Sequence, residues 1–202
     1  MCPHLPFLAV WVRRTKGSYS MRAFGFFKMT DDASSFHAFH SMTENLIYKL
    51  IPHQGCVIKR TADGIDIAGS AMNWVMSAGV VPFTCRAPFA FRVVGRTDST
   101  NLRMHWHRGE LIFNWECSVR ELRVHDPATA QQHGIPEKGF IATTDWHEIV
   151  WEISLDRMRV IVDGEVRFNE SGDYSGIESA PSVGPCFGST ISIRECSITP
   201  LA

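Results

Sequence analysis

The stretch NLRMHWHRGELIFNWE, residues 101–116, decides the fold because apolar and polar side chains alternate along it. Successive side chains of a β-strand point to opposite faces of a sheet, so this alternation is typical of a half-buried strand. The apolar face takes Leu102, Met104, Trp106, Leu111, Phe113 and Trp115. The sequence therefore predicts a hairpin with a turn at Arg108-Gly109 and with Trp106 and Trp115 in the core.

The other face of this hairpin carries side chains that bind ligands or transfer protons. It is interrupted only by Ile112 and otherwise consists of Asn101, Arg103, His105, His107, Glu110, Asn114 and Glu116. The predicted turn sets the cross-strand partners, which are His107 with Glu110, His105 with Ile112, and Arg103 with Asn114. A solvated sheet face does not need imidazole, guanidinium and carboxylate groups at this density, so this face is a candidate site.

A third strand is predicted at ELRVH, residues 121–125, where Arg123 and His125 share one face. If it lies beside the second strand of the hairpin, it extends the polar surface. The predicted ligand-binding residues are therefore Arg103, His105, His107, Asn114, Glu116, Arg123 and His125. On this hypothesis, Arg103→Ala and His105→Ala abolish ligand binding and leave the fold intact.

Similar short strands, separated by turn residues, continue along the chain with almost no helical periodicity. Tight hairpin turns are predicted at Asp63-Gly64 and Asp163-Gly164, and long loops at residues 127–144 and 170–188. Many short strands of this kind are typical of an all-β, two-sheet antiparallel β-sandwich. His147, at the start of a predicted strand, is interpreted as structural.

The composition indicates one folded domain and excludes some partners. Of 202 residues, 45% are hydrophobic, and we expect residues 44–202 to form the sandwich and residues 1–43 to form an extension, with a first strand or short helix, packed on it. The formal net charge of −1 argues against nucleic acid, and no apolar run approaches the roughly 18 residues of a membrane helix. The six cysteines contain no C-x-x-C pair, which predicts buried thiols in the reducing cytoplasm and no structural metal site.

Three segments in the second half of the chain resemble the concanavalin A-like lectin and glucanase superfamily. They are WHEIVWEI at residues 146–153, MRVIVDGE at residues 158–165 and GSTISI at residues 188–193. The same pattern recurs in laminin-G-like and glycoside-hydrolase members, and the resemblance covers roughly residues 44–200. It implies a jelly roll whose concave polar face grips glycan, with a strand near residues 55–67 paired to the last strand. It also implies calcium as an accessory, to which residues 170–176 offer oxygen ligands; no other cofactor is expected.

The catalytic motifs of this superfamily are incomplete here. The paired-carboxylate strand E-x-D-x-x-E of family 16 glycoside hydrolases and the galectin signature H-x-N-P-R are missing. Alginate-lyase jelly rolls carry R-x-E-L-R and Q-x-H strands. This chain has Glu121-Leu122-Arg123, but Val119 replaces the first arginine, and Gln131-Gln132-His133 falls in a predicted loop. The match to the lyase motif is therefore fragmentary.

Carbohydrate is accordingly the expected partner, bound by a lectin-like or carbohydrate-binding domain. Arginine and asparagine supply fixed donors to sugar hydroxyls or uronate carboxylates, and histidine adds donors and a stacking ring. Four other interpretations stay open. The face is a solvated surface with cross-strand ion pairs, or the domain is a protein-interaction sandwich. Alternatively, the face belongs to a polysaccharide- or oligosaccharide-active hydrolase or lyase with a histidine general base, or it holds a metal on His105, His107 and His125.

Overall fold

The computed structural model describes residues 44–53, 55–69, 78–186 and 188–202. These residues form an antiparallel β-sandwich with two seven-stranded sheets, which confirms the predicted fold class. The expected extension over residues 1–43 lies outside the described residues. The described residues also include a short 3-10 helix at Ile47–Lys49. No helix in the described part of the chain is long and apolar enough to cross a membrane.

The first sheet carries the candidate site in the middle of its strand order. With strands numbered along the chain, that order is β1 (Ile51–His53), β4 (Ala78–Val80), β15 (Ser182–Gly184), β7 (Leu102–Trp106), β8 (Gly109–Phe113), β9 (Leu122–His125) and β10 (Gln132–Ile135). The predicted hairpin is the pair β7 and β8, and the predicted third strand is β9 beside it.

The second sheet supports the first from behind. Its order is β13 (Glu165–Ser171), β12 (Arg157–Val162), β11 (His147–Ile153), β6 (Phe89–Thr97), β16 (Thr190–Pro200), β3 (Gly64–Ala68) and β2 (Val57–Thr61). A small separate sheet pairs β5 (Cys85–Arg86) with β14 (Glu178–Ser179). Ile65 on β3 is opposite Ile193 on β16, so the early strand does pair with the last one, as the resemblance implies.

The core lies between the two large sheets and is formed by the alternate apolar residues of their inner faces. The first sheet contributes the fully buried Leu102, Met104, Trp106, Leu111, Phe113, Leu122 and Val124. The second contributes the fully buried Phe91, Val93, Ile149, Trp151, Ile153, Met158 and Val160. Burying each such side chain stabilises the fold by about 1.5–3 kcal/mol, so this layer holds the outer face of the first sheet in place.

Three cysteines agree with the prediction of buried thiols, whereas Cys117 is exposed and disulfide-bonded, so the prediction is wrong for that residue. Cys56, Cys85 and Cys196 are all buried, and Cys56 Sγ donates to the carbonyl oxygen of Ala78 at 2.9 Å. Burial raises the pKa of Cys85 to about 11 and that of Cys196 to about 12. These two side chains therefore stay protonated at neutral pH and behave as small apolar groups.

The turn between β7 and β8 differs from the predicted one. Its two residues are His107 and Arg108, and β8 begins at Gly109. His107 takes up the left-handed backbone, with φ of 55°, that tight two-residue hairpin turns require. Gly109 is needed for space instead, because a Cβ there would lie 2.5 Å from Cγ of Pro127. The predicted turn at Arg108-Gly109 is therefore wrong by one residue. The turn predicted at Asp63-Gly64 is wrong by one residue as well, because Thr61 is opposite Gly64 and the turn residues are Ala62 and Asp63.

The shifted turn changes the cross-strand partners and preserves the faces. On the outer face His105 is opposite Glu110 and Arg103 is opposite Ile112, so the predicted partners are wrong. Each β7 residue moves by two positions against β8. Side chains alternate with a period of two, so a shift of two leaves every residue on its predicted side of the sheet.

Two segments predicted as loops contain strands of the first sheet. β10 pairs with β9 inside residues 127–144, and β15 inserts between β4 and β7 from residues 170–188. Asp126 starts the turn into β10, where its Oδ1 accepts from the backbone nitrogens of Ala128 at 2.9 Å and Thr129 at 2.7 Å. Both strands are only three or four residues long, which hides their alternation among turn-forming residues.

Candidate functional site

The outer face of the first sheet presents two rows of side chains that cross the strands from β15 to β10. The first row is Ser182, His105, Glu110, His125 and Gln132. The second row is Gly184, Arg103, Ile112, Arg123 and Gly134. Adjacent strands are about 4.8 Å apart, so neighbours within a row lie close together. We call this surface, with Trp115, Glu116 and Glu121 at its rim, the polar face.

Arg103 is the buried centre of the polar face, with 8% of the residue exposed. Its Nε and Nη2 donate to Oδ1 of Asn101 at 3.1 and 2.7 Å, and its Nη1 donates to Oε1 of Glu110 at 3.1 Å. Nη2 also lies 3.5 Å from Oε2 of Glu116. Arg103 is thus held by three side chains. Its role is to position the carboxylates of Glu110 and Glu116, and its guanidinium group is not free for a ligand.

Glu110 lies between two histidines in the first row. It is directly opposite His105 on β7 and His125 on β9, and its Oε2 is 3.7 Å from Nδ1 of His125. Burial lowers the pKa of both histidines below the ordinary 6.5, an effect that the charge of Glu110 offsets in part. Since burial has the larger effect, both imidazoles are neutral at neutral pH, and each offers one donor and one acceptor nitrogen.

Arg123 and Trp115 stack against each other at the β9 side of the polar face. The guanidinium carbon of Arg123 is 4.1 Å from the centre of the Trp115 ring, which is a cation–π contact. Nη2 of Arg123 is 2.9 Å from Oε1 of Glu121, and Nη1 donates to Oε1 of Gln132 at 3.4 Å. Trp115 is half-buried here, so its predicted place in the core is wrong, whereas that of Trp106 is confirmed.

Asn114 is the reason that Trp115 lies on the outer side. Its φ of 49° is left-handed, which asparagine tolerates better than most residues, and it ends the alternation of β8 after Phe113. The Asn114 side chain is fully buried, where Nδ2 donates to the carbonyl oxygen of Ile141 and Oδ1 accepts from the nitrogen of Ile141, both at 2.8 Å. The amide of this predicted ligand-binding residue is therefore occupied by backbone.

The structure gathers some of the predicted site residues and separates others. Arg103, His105, Arg123 and His125 lie together in the two rows, and Glu116 lies at the rim. His107 lies in the exposed β7–β8 turn, off the rows. The selection from sequence left out Glu110, Glu121 and Trp115. The signal that identifies Glu110 is the alternation of β8, which places its side chain on the same face as the other site residues.

The fragment that resembles an alginate-lyase motif does not form one site. Gln132 and His133 are on β10 beside β9, so their predicted loop is wrong. His133 is opposite Val124, a core residue, and its Nε2 lies 3.4 Å from Oε2 of Glu170. Arg123 instead belongs to the polar face. Adjacent residues of a strand point to opposite sides, so His133 and Arg123 do not face a common ligand.

His147 and Asp173, two polar residues outside the polar face, have partners within the protein. Nδ1 of His147 is 2.7 Å from Oδ2 of Asp163 and its Nε2 is 3.2 Å from the carbonyl oxygen of Ala142, which confirms the structural interpretation of this histidine. Asp173, in the segment considered for calcium, accepts from the nitrogen and the hydroxyl of Ser175 at 3.1 and 2.7 Å. Among the described residues, no group of three or more His, Cys, Asp or Glu side chains is arranged to hold a metal ion.

The lowered pKa values of His105 and His125 predict a loss of stability in mild acid. Below the ordinary pKa of 6.5 the unfolded chain binds protons that the folded chain does not, so the free energy of unfolding falls as the pH falls toward the folded pKa. The slope is at most about 1.4 kcal/mol per pH unit for each histidine. Urea unfolding of the wild type and of a His105→Gln/His125→Gln variant, between about pH 7.5 and about pH 5.5, measures it. Equal slopes for both proteins would rule out this effect of burial.

Solved structures share the sandwich at low sequence identity. The carbohydrate binding module CBM66 from Bacillus subtilis matches with a TM-score of 0.54 and 9% identity, over 73% of this chain and 93% of that one. The Crh5 transglycosylase in complex with NAG has a TM-score of 0.53 and 9% identity, over 78% and 91%. The alginate lyase AlgAT5 from polysaccharide lyase family 7 has a TM-score of 0.50 and 7% identity, over 74% and 84%. No family model and no curated protein sequence matches the chain. These likenesses establish the fold.

Proposed function

We propose that the polar face binds glycan, as a carbohydrate-binding or lectin-like domain of the concanavalin A-like kind. The observation that carries the proposal is the first row, where Glu110 lies between two neutral imidazoles and next to the Arg123–Trp115 stack. Hydroxyl groups both donate and accept hydrogen bonds, and this row offers both kinds of partner within a few ångströms. An aromatic ring beside such a row gives the apolar side of a sugar ring a surface to contact.

The partial burial of these side chains also suits a binding site. The side chains of Glu110, Arg123 and His125 are 14%, 22% and 23% exposed, so they are reachable and yet held in fixed positions. Groups that are already ordered lose little conformational entropy when a ligand binds. A face of loosely solvated ion pairs, the plainest alternative, would carry longer exposed side chains with fewer mutual contacts.

The likeness to solved structures supports a sugar ligand. A carbohydrate binding module, a transglycosylase and an alginate lyase share the sandwich, and the name of each refers to binding or enzymatic activity on carbohydrates. Binding and catalysis both occur on this fold, so the likeness by itself does not choose between them. The choice rests on the chemistry of the polar face.

Binding through the first row predicts a strong effect of single histidine changes. We expect His105→Ala and His125→Ala each to weaken glycan binding at least about tenfold, since each removes one or two hydrogen bonds worth about 1.4 kcal/mol together. A glycan array, followed by calorimetric titration of the ligands it identifies, measures the effect. Arg159→Ala is the control, because Arg159 pairs with Glu152 on the second sheet. This variant should bind the glycan with wild-type affinity.

The same experiment can overturn the proposal. If His105→Ala and His125→Ala both bind the identified glycan with wild-type affinity while remaining folded, the polar face is not the binding surface. His107→Ala adds a test of position, because its turn lies off the rows. We expect this variant to keep most of the wild-type affinity.

A second candidate function is catalysis on a polysaccharide or oligosaccharide at the same face. The observation that favours it is the lowered pKa of His105 and His125 beside Glu110, since a neutral imidazole next to a carboxylate is a general base at neutral pH. Assays for new reducing ends and for unsaturated ends, run on the samples from the array, separate the two functions. Saturable binding without either product indicates a binding domain, and loss of product in His125→Ala indicates an enzyme.

A further inference from the structure

We infer that the ligand of the polar face is a neutral glycan and not a uronate or another acidic sugar. This inference rests on the proposed function and names the class of ligand for the same site. An acidic glycan would need guanidinium groups that are free to pair with its carboxylates. The guanidinium groups of Arg103 and Arg123 already contact carboxylates of the protein itself.

Arg103 has no free edge to offer an acidic ligand. Its three guanidinium nitrogens contact Asn101, Glu110 and Glu116, and only 8% of the residue is exposed. The Coulomb attraction of this guanidinium group is directed at two carboxylates of the protein itself. A ligand carboxylate would have to displace one of them without gaining a net ion pair.

Arg123 is engaged through its two terminal nitrogens and one side of its plane, while its Nε is buried without a hydrogen-bond partner. Its Nη2 pairs with Glu121, its Nη1 donates to Gln132, and one side of its plane covers the Trp115 ring. Gly134 keeps this arrangement open, because a Cβ there would lie 2.5 Å from Oε1 of Glu121. The absence of a side chain at residue 134 therefore gives the Glu121 carboxylate its place beside Arg123.

The charges of the polar face add up to a slight negative excess. Among its described residues, the carboxylates of Glu110, Glu116 and Glu121 face the guanidinium groups of Arg103 and Arg123. The other members of the two rows are uncharged: Ser182, Ile112, Gln132, the two glycines and the neutral histidines. An added carboxylate would be repelled by the remaining negative charge, which partial burial leaves only weakly screened.

Uncharged sugar hydroxyls fit the same groups without this repulsion. Carboxylate oxygens and the acceptor nitrogens of neutral imidazoles accept hydrogen bonds from sugar hydroxyl groups. The donor nitrogens of His105 and His125 donate hydrogen bonds to hydroxyl oxygens. Since Arg103 and Arg123 fix the carboxylates, the acceptors are already oriented before the ligand arrives.

The test compares neutral and acidic sugars that differ in nothing else. The probes are oligosaccharides of glucose against glucuronate, mannose against mannuronate, and galactose against galacturonate, matched in length and linkage and titrated calorimetrically into the full chain. We expect the neutral member of the pair that binds to be at least about tenfold tighter. Equal or tighter binding of a uronate overturns the inference and leaves glycan binding intact. If no member of any pair binds, the proposed function fails together with the inference.

A gain of binding provides a second and independent test. Glu121→Gln removes the carboxylate that Arg123 faces, so this variant should bind uronates several-fold more tightly than the wild type. The matched control is Glu152→Gln, which removes the partner of Arg159 on the second sheet and should not change uronate binding. If Glu121→Gln binds uronates no better than the control does, pairing within the polar face is not what rejects acidic sugars.

Discussion

Replacing Arg103 with alanine is expected to lower the free energy of unfolding by about 3–5 kcal/mol, the usual effect of removing one partner from a buried ion pair. The change leaves Glu110 without the guanidinium group that contacts its Oε1, and it leaves Asn101 Oδ1 without two donors. Both acceptors lie where water enters poorly, since Arg103 itself is 8% exposed. Urea unfolding followed by tryptophan fluorescence measures the loss. The structure therefore replaces the expectation, drawn from sequence, that this variant keeps its fold intact.

Two further variants isolate the effect of burial. Arg159→Ala breaks the pair with Glu152, whose side chains are 41% and 25% exposed, and we expect it to cost about 0–1 kcal/mol. Arg103→Met combined with Glu110→Leu should recover the part of the loss that comes from Glu110, because no carboxylate is left there without its partner, whereas Asn101 Oδ1 still lacks its two donors. Unfolding of Arg103→Ala at the same urea concentration as Arg159→Ala would contradict a stabilising role for the buried contacts of Arg103.

Gly139→Ala is the second change for which a large effect is expected. A Cβ at residue 139 would overlap the backbone carbonyl of Glu121 and the backbone nitrogen of Leu122, which cannot rotate away as a side chain can. The segment is also tied on both sides, since the nitrogen of Gly139 donates to Arg120 at 2.9 Å and its carbonyl accepts from Asn114 at 3.0 Å. We expect a loss of about 3 kcal/mol or more, at the upper end for inserted methyl groups.

This change should also reduce binding, because the displaced backbone begins β9. Arg123 and His125 on that strand would move relative to Glu110 on β8. The matched control is Gly176→Ala, since a Cβ there has no neighbour within 4 Å. Thermal unfolding and glycan titration of both variants give the comparison. If Gly139→Ala melts and binds like Gly176→Ala, the close approach of residue 139 to β9 has no energetic consequence.

The sandwich was predictable from sequence because its signal is repeated and local. Alternation in residues 102–106, 109–113 and 122–125 fixes which side chains enter the core, and a register shift by two residues leaves that result unchanged. The Asp163-Gly164 turn was predictable for the same reason, since both residues have the positive φ, 50° and 81°, that this turn type requires. What repeats along the chain could be predicted from the chain alone.

The details of the site were less predictable because they depend on contacts between distant segments. Gly109 is a glycine because of Pro127, and Asn114 is left-handed and buried because its side chain bonds the backbone of Ile141. No local pattern reveals either contact, so sequence patterning alone places the turn one residue too late and includes Asn114 among the candidate ligand-binding residues. Trp115 was misassigned for the same reason, since its side of the sheet depends on the backbone of the residue before it.

The place of β16 has a consequence for how this chain folds. Residues 190–200 lie between β6 and β3, so a strand from the late part of the chain fills the interior of the second sheet. Ser192 Oγ bonds Oδ1 of Asp66 at 2.8 Å across 126 residues of sequence. Contacts between such distant residues close large loops, and domains dominated by them fold slowly. Until β16 has been synthesised, β3 and β6 have open hydrogen-bonding edges, so the nascent chain is prone to association with other chains up to that point.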